Sequence, residues 1–194
     1  MPNWCTNVIT VSGSLEKISQ IKDLIESIEN KEEANLFQTL VGIPKHINKE
    51  EYIEKLYDIN ISFWGTKSDV SYNDAYPQFI DDTILLCPDT AWSPPIGFGL
   101  QLAKVYLVNV EMFYAEPGEN FCGKTKCDKD GIISVEDYDY QKGLYIFDKD
   151  LFWSEIESEA EYLIFEVGKT LDEFIKVFHY VDKEEITTFY NEFK

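Results

Sequence analysis

Arginine is absent from this sequence: all 17 basic residues are lysines, set against 36 acidic residues, for a formal charge of -19. Without the planar guanidinium fork that reads phosphates and guanine edges, and with so few cations to neutralise a phosphate backbone, ordinary DNA or RNA binding is excluded as an expectation. Long apolar runs are missing too, so no membrane span is expected. The opening MPNWCTN has neither the basic region nor the apolar segment of a secretory signal, which predicts a cytosolic protein. In that compartment Cys5, Cys87, Cys122 and Cys127 are expected as reduced thiols. Only two histidines, His46 and His179, accompany them, and the C-x4-C spacing of Cys122 and Cys127 fits zinc poorly, so no metal and no cofactor are expected.

Catalytic signatures are equally scarce. There is no G-x-S-x-G, no H-E-x-x-H and no glycine-rich phosphate loop, and neither histidine stands beside a candidate nucleophile. An enzyme is therefore disfavoured. DKDGIISVED (Asp128 to Asp137) resembles part of a calcium loop, but with Gly131 at the turn the first ligand position falls on Lys126 and the last on Asp137. A β-turn around Gly131 is the expectation.

What is present is enough apolar residue, 44% of 194, for one packed core or a core with an appendage. NVITVSG (Asn7 to Gly13) alternates as a strand, and Ser14 then stands before a helix with Ile18, Ile21, Ile25 and Ile28 at helical spacing. The polar stretch 30–58 reads as an insertion with a short helix over Lys49 to Tyr57. INISFWG (Ile59 to Gly65) and TILLCP (Thr83 to Pro88) read as strands, SPPIGFGLQLAKVY as a helix, and LVNVEMFYAEPG, GIISVEDYDY and GLYIFD as further strands. The order β-α-β-β-α-β predicts a split β-α-β sandwich of the α+β class with extra strands over 1–150. Residues 151–194 read as an acidic helical appendage.

WGTKSD (Trp64 to Asp69) and TAWSPP (Thr90 to Pro95) each set an indole beside hydroxyls, and Lys67 adds a cation. Such a set suits a pocket in which a base stacks on an indole, Lys67 holds a phosphate, and Thr66, Thr90 or Ser93 binds a ribose. The same residues also suit a core in which both tryptophans are packed and their polar neighbours end strands. The sequence leaves both readings open.

Taken together, MPNWCTNVITVSG, WGTKSD, TAWSPP and YAEPGENFCG (Tyr114 to Gly123) resemble the YubB ferredoxin-like family of phages and plasmids. That family usually carries W-G-T-K-W-D at the second motif, where this chain has Ser68. The resemblance covers roughly 1–150 and implies a ferredoxin-like sandwich without an iron-sulfur cluster, in a family of unknown function; the acidic tail lies outside it. It implies a mobile-element protein in a bacterial host cytoplasm. The expected function is counter-defence: sequestering a small nucleotide-like signal at Asn3, Trp4, Trp64, Thr66, Lys67, Asp69, Thr90, Trp92 and Ser93. The alternative is an acidic mimic of nucleic acid that binds a basic host protein through its helical tail.

Overall fold

A computed structural model describes residues 3–29, 31 and 35–193. The start of MPNWCTN and parts of the expected insertion, at 30 and 32–34, lie outside the described residues. The chain divides into two compact units, Met1–Asp137 and Tyr138–Lys194. The boundary thus falls earlier than the expected 150, because GLYIFD, expected as a strand of the sheet, is a helix of the second unit.

In the first unit, β1 (Trp4–Ser12), β2 (Gln78–Ile80), β3 (Thr83–Leu86), β4 (Asp89–Ala91), β5 (Asn109–Glu116), β6 (Phe121–Asp128) and β7 (Gly131–Tyr138) form one sheet. Its spatial order is β2-β3-β1-β5-β6-β7, with β4 also paired to β1. The pairings of β1 with β3, β4 and β5, of β2 with β3, and of β5 with β6 are antiparallel. With α1 (Leu15–Glu26) after β1 and α6 (Ile96–Tyr106) before β5, the four neighbouring strands β2-β3-β1-β5 have ferredoxin-like connectivity. β6 and β7 extend the sheet beyond it.

Alternation along β1 sends Cys5, Asn7, Ile9 and Val11 inward. They join Val110 and Met112 of β5, Ile18, Ile21 and Ile25 of α1, and Phe98 and Leu102 of α6 in one core, so both helices cover the same face. Gly99 lets α6 approach the sheet: a Cβ there would lie 3.2 Å from Met112 Cε. The turn expected at Gly131 is present, with Asp128 Oδ1 accepting from the N–H groups of Asp130 and Gly131.

Between α1 and β2 lie α2 (Leu36–Val41), α3 (Lys49–Glu54), α4 (Leu56–Trp64) and α5 (Tyr72–Ala75). INISFWG is therefore helical, against the expected strand. Its buried residues, Ile59, Asn60 and Trp64 with half-buried Phe63, recur at helical spacing, and Gly65 ends the helix in the left-handed region at φ 90°. The β-branched isoleucines imitate strand composition while the burial follows a helix.

The second unit contains α7 (Tyr140–Phe147), α8 (Lys149–Glu161), a π-helical turn (Tyr162–Glu166), α9 (Leu171–Val177) and α10 (Lys183–Glu192). GLYIFD forms the end of α7, burying Gly143 and Leu144, with the Tyr145 ring 5.4 Å from Phe152 of α8. The stretch 151–194, expected as a helical appendage, is helical over most of its described length. Phe152, Ile156, Phe174, Phe178 and Ile186 form its interior, and Thr170 with Glu173 makes a capping box on α9. Among the described residues no helix is long and apolar enough to cross a membrane.

Candidate functional site

The two tryptophan motifs do converge, but as a structural clasp. Trp64 is 1% exposed, its Nε1 donating to Gly42 O and its ring edge-on to Phe37. Thr66 is fully buried and donates to Ala91 O at 3.2 Å, while Ser93 Oγ donates to Gly65 O at 2.7 Å. Thr90 Oγ1 donates to Ser93 O and accepts from Asn7 Nδ2. Asn7, missed by sequence reasoning, also donates to Cys5 O and Pro88 O at 2.8 and 2.9 Å. These hydroxyls and amides satisfy carbonyls at the join of α4, β1 and β4. Trp64 and Thr66 are thus removed from any ligand.

Lys67 is turned away from the clasp, its Nζ 4.6 Å from the centroid of the Tyr57 ring. Trp92 is 42% exposed at φ 71°, a left-handed conformation that a bulky residue rarely adopts. Its N–H donates to Asn3 O, and Asn3 Nδ2 donates to Glu119 of the β5–β6 turn. That turn is closed by Glu116, whose carboxylate accepts from the N–H groups of Gly118 and Glu119.

A cleft of about 330 Å³ opens beside this clasp, lined by Trp4, Ser68, Asp69, Val70, Asp74, Tyr76, Asp89, Thr90 and Ala91. Trp4, Asp69 and Thr90 of the expected set thus line it; Asn3, Trp64, Thr66, Lys67, Trp92 and Ser93 do not. Trp4 and Tyr76 present the aromatic surface, 54% and 66% exposed. Tyr76 sits at φ 45°, held at the end of α5, so the rim contains a strained aromatic residue.

Carboxylates provide the polar wall. Asp69 Oδ1 accepts from the N–H groups of Phe37 and Val70, and Oδ2 from that of Gln38, which fastens α2 to the WGTKSD loop. Burial pushes its carboxyl up to about 6, against the three N–H groups, which favour the ionised form. Asp74 accepts from Ser71 Oγ at 2.7 Å, and Asp89 is exposed. No lysine is among the described lining residues. Nor, among the described residues, is there a group of three or more His, Cys, Asp or Glu side chains that could hold a metal.

The other marked residues are structural. Burial pushes the Cys5 thiol up to about 12, and among the described residues the four cysteines form no disulfide. Tyr114 OH donates to Asp137 Oδ1 across the sheet, and burial raises its pKa. Gly123 makes room for that ring, since a Cβ there would meet Tyr114 Cε2 at 2.5 Å.

Fold and cleft define a ferredoxin-like α+β protein with an acidic, aromatic recess at one end of its central strands. Residues 70–162 match the family model described as the ferredoxin-like domain in Api92-like protein. That stretch includes α8, nearly all of which the resemblance drawn from the sequence left outside. Among solved structures, the protein api92 from Yersinia pseudotuberculosis is similar, at 8% identity and a TM-score of 0.47, over 71% of this chain and 98% of that chain. No curated protein matches.

Proposed function

We propose that this chain is a non-catalytic binding protein of a phage or plasmid that sequesters a small nucleotide-like signal in the Trp4 cleft and so blunts a host defence. The observation that carries the reading is the pairing of exposed Trp4 and Tyr76 rings with Asp69, Asp74 and Asp89 in one recess. Aromatic faces stack a planar base, and carboxylates accept from its imino and amino N–H groups. The resemblance to a mobile-element family supports the biological setting.

The mode of holding differs from that expected from WGTKSD. Lys67 leans on Tyr57 and does not line the cleft, and a chain of charge -19 repels phosphate. The base enters the cleft and any phosphate remains in solvent. Ser68, where the resembled family usually has tryptophan, lies on the rim, so Trp4 and Tyr76 supply the stacking surface in this chain.

Native mass spectrometry after incubation with a deproteinised extract of phage-infected bacteria tests the reading. A small-molecule adduct that is lost in Trp4→Ala and kept in Lys67→Ala is expected. An unliganded wild-type spectrum, or an adduct that survives Trp4→Ala, would overturn it.

A further inference from the structure

The second unit has its own recess. It is a groove of about 710 Å³ between the first turns of α8 and the face of α10. Trp153 and Phe189 form its floor, their ring centroids 4.7 Å apart, and Asp150, Glu184, Glu185 and Glu192 rim it. Lys149, the cation among the described lining residues, is already held by Glu185 at 2.6 Å. The remaining rim carboxylates have no ion-pair partner among the described residues.

We infer that this groove is a docking site for an arginine-bearing segment of a basic protein. A guanidinium plane stacks on an indole or phenyl face while its N–H fork reaches a carboxylate, and the groove offers both at once. Its volume exceeds one side chain, so it accepts a stretch of chain with more than one anchor. Charge complementarity continues outside it: α8 and the π-helical turn add Glu155, Glu157, Glu159, Glu161 and Glu166 with no lysine between 150 and 168. A nucleic acid would be repelled by this surface, and a second copy of the chain has no arginine to offer. The inference stands on the second unit alone and is independent of the Trp4 cleft.

Isothermal titration of the intact protein with a short alanine-based peptide carrying two arginines one helical turn apart provides the test. Because Trp153 also packs against Phe189, the charge variant Glu184→Gln/Glu192→Gln serves as the main comparison, with Glu157→Gln/Glu161→Gln on α8 as an equal charge change outside the groove. The groove variant is expected to weaken binding about tenfold and the outer variant less than about twofold. Trp153→Ala, if its circular dichroism matches wild type, is expected to weaken binding at least as much as the groove variant. No binding by wild type, or equal losses in both charge variants, would overturn the inference, the second result by showing general polyanion attraction.

Discussion

Asp69 shows how one side chain joins stability to the cleft. Its carboxyl is pushed up to about 6 from an ordinary value of 3.8, so the fold favours the protonated form. That contribution is fully present below pH 3.8 and is lost as pH rises through 6, at up to about 3 kcal/mol. We therefore predict that Asp69 lowers the stability of the first unit between pH 4 and 6.5, seen as a steeper fall of chemical-denaturation stability in wild type than in Asp69→Asn. Parallel profiles would contradict this. At the clasp, Asn7→Ala is expected to cost about 2–3 kcal/mol, since it leaves the buried carbonyls of Cys5 and Pro88 without its amide. Lys67→Ala should stay within about 0.5 kcal/mol of wild type, because its ammonium makes only the contact with Tyr57 among the described residues. A urea titration separates the two outcomes.

At the scale of elements, the junction of α4 and α6 is the tightest feature near the site. A Cβ on Gly97 would lie 2.5 Å from Phe63 O and 2.8 Å from Trp64 C, both backbone atoms that give way only if a helix moves. Gly97→Ala is expected to destabilise the first unit by about 1–3 kcal/mol, with Gly131→Ala, open to solvent but at φ 151°, acting through the turn alone. Strands β1, β3, β5 and β7 and helices α1 and α6 were legible in the sequence because alternation or helical spacing was carried by apolar residues. α4 was not, because its isoleucines imitate strand composition; β6 was not, because its inward residues Gly123, Thr125 and Cys127 are small or polar and earn their places by pairing with β5. The site was legible in part for a similar reason. Sequence placed indoles and hydroxyls together correctly in the chain, but whether a hydroxyl faces a ligand or a carbonyl depends on pairings such as Trp4 with Ala91 that no local pattern records. Tyr76, Asp74 and Asp89 carry no motif, and only the packing of α5 beside β4 brings them to the cleft.

For the whole molecule, net charge dominates. The six described ion pairs are all solvent-exposed, and such pairs add little stability, whereas an excess charge of -19 repels itself. Added sodium chloride is therefore expected to raise the melting temperature over the range in which the Debye length falls from about 10 to about 3 Å. A fall over that range would mean that the ion pairs outweigh the repulsion. The same field bears on the proposed ligand: an anion approaching the Trp4 cleft would meet Asp69, Asp74 and Asp89 without a lysine among the described lining residues. The central claim, that the cleft holds a base and leaves phosphate outside, is tested most directly by titrating the protein calorimetrically with guanosine and with its 5′-triphosphate at one ionic strength. The account predicts that guanosine binds at least as tightly as the triphosphate and that Trp4→Ala abolishes both; tighter binding of the triphosphate, weakened by Lys67→Ala, would contradict it.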